Sequence, residues 1–215
     1  MEVQSVPFWK RIDWMLVVIL FIFFCISLLA ISSAQTSSYT GQNYIPKQIM
    51  YYGIAAFIII FIMYLDMEQY KKIVWYLYGF GIILLVALIF MPEGKGQIGQ
   101  IVNGAKSWYH TPIGNIQPAE FMKTFYILAC AKVIAIHNER HVLRTTKTDF
   151  LLLGKILAVL IVPFLLIMDQ PDLGSSLVFL AITLALVVVS GISWRIIVSL
   201  LAVGTSIGTA VIWMA

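Results

Sequence analysis

The sequence is poor in charged residues and in cysteine. Of its 215 residues only 11% are charged and 61% are hydrophobic, whereas a soluble domain carries roughly 25% charged residues. The composition therefore excludes an ordinary soluble domain and predicts a membrane protein. Cys25 and Cys130 both lie in apolar runs without metal-type spacing, so we interpret them as buried thiols, not as a disulfide.

Short motifs of several enzyme classes are also missing. The chain has no P-loop, no dinucleotide fingerprint and no serine-hydrolase elbow. His137 and His141 have metal-ligand spacing on a helix, but no third ligand stands nearby, and we interpret them as part of an inner loop over residues 137–149. We expect no protein-bound metal in such a cluster and no nucleic-acid partner.

Long apolar runs are abundant instead. A membrane-spanning helix needs ~20 mostly apolar residues. The pattern predicts an all-α integral membrane protein, a polytopic helical bundle of about seven transmembrane helices forming a single domain over residues 1–215. The predicted spans are Trp14–Ile31, Ile49–Leu65, Ile73–Met91, Phe121–Ile136, Leu151–Met168, Ser175–Ser190 and Ile196–Met214.

The basic residues predict the orientation of this bundle. With the N-terminus in the cytoplasm, ten Lys and Arg residues lie inside and four outside, which agrees with the positive-inside rule. The chain is thus predicted to be a multi-pass protein of the bacterial cytoplasmic membrane, with segments 32–48 and 92–117 outside. A signal peptide cleaved after Ser32-Ser33-Ala34 is the competing interpretation of the first run.

The first conspicuous polar motif is Gln117-Pro118-Ala119-Glu120, at the predicted outer start of the fourth span. Proline suits the first turn of a helix, and an acid there meets the positive end of the helix dipole. Glu120 and Lys123 are three residues apart and therefore lie on one helix face. They are either an ion pair that neutralises two awkward charges or groups that face a functional cavity.

The second motif, Gln170-Pro171-Asp172, opens the sixth span in the same way, with Asp172 expected in its first turn. Alone, Asp172 is explained by helix capping. Because both motifs are predicted at the same membrane face, they can instead line one outward pocket with Lys106. Lysine ammoniums and helix N-terminal N–H groups suit a substrate that carries phosphate.

Three motifs together resemble the SEDS family of bacterial cell-wall synthesis, most of all its RodA branch. The family pattern is Asn-Gly-Ala/Ser-x-Arg-Trp, then Gln-Pro-Ser-Glu-x-x-Lys, then Gln-Pro-Asp-Leu-Gly-Thr. This chain has Asn103-Gly104-Ala105-Lys106-Ser107-Trp108, Gln117-Pro118-Ala119-Glu120-Phe121-Met122-Lys123 and Gln170-Pro171-Asp172-Leu173-Gly174-Ser175. Ser107 stands where the family usually has arginine, and Ala119 and Ser175 are milder departures.

The resemblance implies a peptidoglycan glycosyltransferase of cell-wall elongation and cell-shape maintenance. Such proteins polymerise lipid II, an undecaprenyl-linked precursor, outside the membrane together with a class B penicillin-binding protein. A base must activate a sugar hydroxyl, and cations or a divalent metal must stabilise the leaving pyrophosphate. The expected substrate-binding or supporting residues are Lys106, Trp108, Gln117, Glu120, Lys123 and Asp172.

The resemblance assigns no catalytic residue within this chain. Family members have about ten spans, and their essential aspartate lies in an outer loop after the seventh, which here is beyond Ala215. The sequence is thus expected to represent the N-terminal part of a SEDS protein. Two alternatives remain open: a flippase or transporter of the lipid-linked precursor, and a non-catalytic membrane scaffold of a cell-wall synthase.

Overall fold

The computed structural model describes residues 12–36, 44–92, 98–102, 104–111, 114–141 and 143–214. By its internal contacts the chain divides into two compact units, Met1–Asp66 and Met67–Ala215.

The first unit is a pair of apolar helices, α1 (Trp14–Thr36) and α2 (Ile45–Met63). Asp13 Oδ1 accepts a hydrogen bond from Met15 N at 3.0 Å, which caps the start of α1. The two helices are joined by a hydrogen bond from Gln48 Nε2 to Ser27 Oγ at 2.9 Å. No residue of α2 is buried within the chain, which is the exposure expected of helices that face lipid.

The second unit contains the remaining helices and a small sheet. In chain order its elements are α3 (Met67–Phe90), β1 (Gly99–Val102), β2 (Ala105–His110), β3 (Asn115–Ile116), α4 (Pro118–Arg140), α5 (Thr146–Asp169), α6 (Leu173–Val189) and α7 (Trp194–Met214). Helices α4, α5 and α6 follow one another through short links, so α4 and α6 begin at the same end of the unit and α5 begins at the opposite end.

The core of this unit lies between α3, α4, α5 and α6. Its fully buried side chains include Leu85, Met122, Tyr126, Ile156 and Phe179. Tyr126 and Thr183 share a buried hydrogen bond at 2.7 Å between α4 and α6. At Gly81, a Cβ atom would collide with Met122 Sδ, so a larger residue here would force the Met122 side chain between α3 and α4 to move.

Segment 92–117, predicted as an outer loop, contains a three-stranded antiparallel sheet in the order β1-β2-β3. Val102 pairs with Ala105, and Gly104 in the turn between them has φ of 83°. The sheet is fastened to α3, because Tyr109 donates its hydroxyl hydrogen to the carbonyl of Leu84 at 2.7 Å. The missed signal was Asn103-Gly104, a typical two-residue hairpin turn.

The predicted polytopic helical bundle is confirmed, with seven helices in the described residues. Four of them are long and apolar enough to cross a membrane by length and composition: Trp14–Gln35, Ile45–Met63, Met67–Phe90 and Thr146–Asp169. Helix α4 has 23 residues and extends beyond the predicted span at both ends. The predicted inner loop over 137–149 is therefore wrong: His137 lies in the last turn of α4, and α5 begins at Thr146.

Candidate functional site

The two helix starts predicted from the Gln-Pro motifs are in direct contact. Gln117 is the N-cap of α4, and Pro118 follows as its first helical residue. The Gln117 side chain does not cap its own helix. Its Nε2 instead donates to Asp172 Oδ2 at 2.8 Å and to Ser175 Oγ at 3.2 Å, which ties the start of α4 to the start of α6.

Asp172 lies at the N-cap of α6, one position before the first turn where we expected it. Its Oδ1 accepts a hydrogen bond from Ser175 N at 3.0 Å, and its Oδ2 accepts one from Ser175 Oγ at 2.8 Å. The capping role considered from the sequence is confirmed. The same carboxylate also accepts a hydrogen bond from the Gln117 amide. Asp172 therefore both caps α6 and links it to α4.

The hydrogen bonds around Asp172 favour its charged form. Burial by itself raises the pKa of this carboxyl, but the hydrogen bonds from Ser175 and Gln117, together with the nearby hydroxyl of Ser107, outweigh it and hold the pKa below its ordinary value. Ser107 is 1% exposed, and its Oγ lies near the carboxylate without reaching the geometry of a hydrogen bond to any described atom. We call Ser107, Gln117, Asp172 and Ser175 the Gln117–Asp172 cluster.

Glu120 and Lys123 form an ion pair on the first turns of α4. Lys123 Nζ donates to Glu120 Oε1 at 2.7 Å, and the two side chains are 18% and 55% exposed, respectively. The i,i+3 ion pair considered from the sequence is therefore present. Because the Glu120 carboxylate is largely exposed, Lys123 can release it and pair with the negative charge of a ligand instead.

Lys106 contacts the C-terminal end of α3. Its Nζ donates to the carbonyl oxygens of Ile89 at 2.9 Å and Met91 at 2.6 Å, so it satisfies acceptors at the C-terminal end of α3. Lys106 also lines a cavity of about 320 Å3, together with Asp169 and Gln170. Neither Glu120 nor Lys123 lines this cavity, and a single pocket shared by all these residues stays a prediction.

The second Gln-Pro motif is built differently from the first. Gln170 is the C-cap of α5, is only 2% exposed, and donates from Nε2 to the carbonyl of Leu85 at 3.2 Å. It therefore connects α5 to α3. Sequence reasoning missed the structural role of Gln170 and the buried position of Ser107. The spacing of Asp172 and Ser175, an N-cap residue and the residue three positions later, was a signal for their contact.

Trp108 and the histidine pair singled out from the sequence lie on different elements of the unit. Trp108 lies half-buried on β2, where it pairs in register with Gln100. At the other end of α4, the rings of His137 and His141 stack at 4.3 Å, and Lys155 Nζ lies 3.3 Å from His137 Nδ1. The described residues contain no group of three or more His, Cys, Asp or Glu side chains that could hold a metal ion.

Apolar helices that traverse the unit, with a polar cluster and an ion pair at one end, define a multi-pass membrane protein. The family model described as cell cycle protein, covering FtsW, RodA and SpoVE, matches residues 10–215. The chain therefore belongs to this family, the SEDS proteins, as the three motifs indicated.

Known proteins resemble the chain in sequence and in fold. The probable peptidoglycan glycosyltransferase FtsW of Pasteurella multocida is 30% identical over 225 residues, which cover 98% of this chain and 53% of that protein. The rod shape determining protein RodA of Thermus thermophilus has a similar fold, with a TM-score of 0.66 at 24% identity over 93% of this chain and 60% of that one.

A chain from a peptidoglycan synthase complex, in work on the coordination of polymerization and crosslinking, gives a TM-score of 0.72 at 24% identity. That match covers 93% of this chain and 54% of the other. The chain spans about half the length of the curated relatives that match nearly all of it.

Proposed function

We propose that this chain takes part in peptidoglycan glycosyl transfer, as the part of a lipid II polymerase that holds the substrate at the outer membrane face. Lipid II is the proposed substrate because it carries a pyrophosphate between a lipid and a disaccharide. The family relatives named as peptidoglycan glycosyltransferases support this reaction class. The N-terminus is proposed to be cytoplasmic, which places the Gln117–Asp172 cluster outside.

The observation that carries the proposal is the contact between the starts of α4 and α6. The hydrogen bond from Gln117 to Asp172 brings two helix N-termini to one end of the unit, with Lys123 one turn into α4. Helix N-termini and ammonium groups are favourable surroundings for a phosphate-bearing group. A charged pair at this depth in a membrane helix is costly and usually serves a cavity or a pathway.

In this proposal each residue has a distinct task. Lys123 leaves Glu120 and donates to the lipid pyrophosphate, whose negative charge grows as its bond to the anomeric carbon breaks and the acceptor hydroxyl takes its place. Gln117 and Asp172 keep the two helix starts at a fixed separation, and Trp108 belongs to the sheet beside them. Lys106 supports the site from the end of α3, because its Nζ already donates to two carbonyl oxygens. If a divalent cation takes part, Glu120 would help to hold it and the cation would offset the charge of the leaving pyrophosphate.

A class B penicillin-binding protein is the proposed partner, because a chain with this fold is part of a peptidoglycan synthase complex that coordinates polymerization and crosslinking. We place the chain in cell-wall elongation, following its motif resemblance to RodA. Depletion in rod-shaped cells that produce it should give rounded cells. Filamentous cells would assign it to division instead.

Binding of lipid II to the purified 215-residue chain in nanodiscs tests the site. Lipid II should bind at least about tenfold more tightly than undecaprenyl alcohol, and Lys123→Ala should remove most of this difference, since a hydrogen bond to a charged group contributes about 1.5–3 kcal/mol. Lys147→Ala, which removes the same charge at the opposite end of the unit, is the matched control. Equal affinity for both lipids would refute the proposal.

Two activity assays separate the alternatives. Precursor crossing in sealed liposomes without polymer would favour a flippase. Binding of a penicillin-binding protein without any affinity for lipid II would favour a scaffold. Glycan polymer made by the chain alone would place the catalytic base within these residues.

A further inference from the structure

The opposite end of the second unit holds a charged junction that the proposed function does not use. There the link between α4 and α5 meets the link between α6 and α7. The guanidinium of Arg144 donates to the carbonyl oxygens of Gly191 and Ser190 and to Asn138 Oδ1. Gly191 has φ of 85°, and the guanidinium lies where a Cβ would stand, so this contact requires glycine.

A cavity of about 470 Å3 opens beside this junction. The residues that give its wall its polar character are Arg144, Thr145, Thr146, Asp149, Ser193 and Arg195. This volume is in the range of pockets that hold small ligands.

The charges of the cavity wall favour an anion. Asp149 is only 6% exposed, and its Oδ2 accepts the backbone N–H of Ser193 at 3.0 Å, so one of its carboxylate oxygens is already bound by the protein. The two arginines of the wall outnumber this single negative charge. Arg195, in contrast, is exposed, and within the described part of the chain its guanidinium makes no hydrogen bond or ion pair. The wall thus presents one uncommitted guanidinium and the positive charge of Arg144.

Two helix N-termini add to the positive potential of the cavity wall. Helix α5 begins at Thr146 and α7 at Trp194, and both residues line the cavity. At the start of α5 the Thr145 hydroxyl already accepts the N–H of Thr148, but this start still carries the positive end of a helix dipole, as does the start of α7. Two such starts beside Arg195 make a more specific anion site than either feature alone.

The thickness of the membrane narrows the choice of ligand. Helix α5 has 24 residues, or about 36 Å of helix at ~1.5 Å per residue, whereas the hydrocarbon core is about 30 Å thick. The start of α5 therefore lies at headgroup level when its far end lies at the other interface. Trp194 is 68% exposed at the cavity rim, as expected of an interfacial aromatic anchor.

We propose that this cavity is a binding site for a phosphate group, with Arg195 as its principal cation. The phosphodiester of an anionic membrane lipid and free inorganic phosphate both supply this chemistry. The site lies at the end of the unit opposite the Gln117–Asp172 cluster and is independent of the proposed transferase function.

The test uses the 215-residue chain in non-ionic detergent, titrated separately with phosphatidylglycerol, phosphatidylcholine and inorganic phosphate while its thermal unfolding midpoint is followed. Ligands that bind only the folded state raise this midpoint. Phosphatidylglycerol is expected to bind, and Arg195→Gln should weaken this binding at least about fivefold, in line with the contribution of one basic residue near an anionic surface. Phosphatidylcholine should bind more weakly, because its choline offsets the phosphate charge.

Arg140→Gln is the matched control. Arg140 is an exposed arginine in the last turn of α4, at the same end of the unit but outside the cavity wall. Its loss should change the affinity no more than about twofold, because general attraction between charges is screened within ~10 Å. Equal losses from Arg195→Gln and Arg140→Gln would overturn the proposal, as would the absence of binding by both phosphatidylglycerol and phosphate.

A second variant separates binding from folding. Thr146→Glu places a carboxylate in the first turn of α5, where it favours the helix, while repelling an anion in the cavity. The unliganded midpoint should stay unchanged or rise and the ligand-induced shift should disappear; a shift that persists in this variant would also overturn the proposal. Response to inorganic phosphate identifies the phosphate group itself as sufficient, and response to phosphatidylglycerol alone identifies a lipid site.

Discussion

The two Gln-Pro helix starts have nearly the same sequence pattern but different contacts. At the start of α4, the acid three residues after the glutamine, Glu120, is exposed and forms an ion pair with Lys123. At the start of α6, the acid two residues after the glutamine, Asp172, is the N-cap and accepts hydrogen bonds from Ser175 and Gln117.

The difference lies in where each helix begins relative to its proline. Pro118 is the first residue of α4, which puts Glu120 in the first turn, whereas Pro171 comes before the N-cap Asp172 of α6, and Gln170 still belongs to the end of α5. The cap position of α4 is then left to Gln117, whose long amide is free to reach the neighbouring helix. The start of α4 therefore carries an exposed ion pair that suits ligand binding. The start of α6 is held by hydrogen bonds and suits positioning.

The largest expected effect comes from Asp172→Ala. This change removes a helix cap and the acceptor of the Gln117 amide, and should lower the free energy of unfolding by about 3 kcal/mol, from about 1 for the cap and about 2 for the unpaired donors. Asp172→Asn, which retains a capping oxygen, should lose less. Unfolding in denaturing detergent measures both, and Glu120→Ala provides the comparison. A Glu120→Ala loss as large as that of Asp172→Ala would contradict the division between the two starts.

Acid should affect the α6 start next most strongly. The pKa of Asp172 in the folded protein lies below its ordinary value of 3.8, so the stabilisation is fully present above that pH. It should be lost as the pH falls through the lower folded pKa. The loss should be smaller than that of Asp172→Ala, because a protonated carboxyl still has an acceptor oxygen. Unfolding midpoints measured between pH 5 and pH 2, in parallel for Asp172→Asn, test this. If the midpoint of the variant falls just as steeply with pH, another group causes the loss of stability.

Gln117→Ala should have an intermediate effect. It removes the link between the two starts but leaves the Asp172 cap to Ser175 intact, so the loss should be about 1 kcal/mol. A double-mutant cycle with Asp172→Asn measures the coupling directly. No coupling between these positions would show that the contact does not stabilise the pair of helices.

Glu120→Gln should give the smallest change in stability. An exposed ion pair contributes at most about 1 kcal/mol and commonly less, because water and salt screen it. The unfolding free energy should therefore change by about 0.5 kcal/mol or less, and the change should shrink further at high salt. A larger, salt-independent loss would mean that Glu120 has a buried role.

Much of the fold followed from local chemistry. Apolar runs of spanning length predicted the helices, and the Gln-Pro motif indicated that the fourth helix begins near Pro118, before its apolar run, because proline fits the first helical turn. The end of α4 was misjudged. Helix α4 continues beyond the apolar run through His137 to Arg140. In this last part His137 contacts Lys155 of α5, and such a tertiary contact cannot be read from the apolar pattern.

The candidate site was less predictable than the fold. Titratable residues stood out in the sequence, and the pairing of Glu120 with Lys123 followed from helical spacing. The partners of Lys106, Gln117 and Gln170 did not, because each reaches an element that is distant along the chain. Two of these three side chains donate to main-chain carbonyls, and a carbonyl leaves no trace in the pattern of residue types.

That preference for carbonyl acceptors has a consequence for variation among relatives. Tyr78 donates to Val159 O, Tyr109 to Leu84 O, and Gln170 to Leu85 O. Every residue type offers the same carbonyl, so substitutions at the acceptor positions leave these bonds intact as long as the helix path is kept. The donors have no such freedom. In an alignment of relatives, drift should accordingly be one-sided: positions such as 84 and 159 exchange freely among apolar residues, while the tyrosine or glutamine opposite each of them persists.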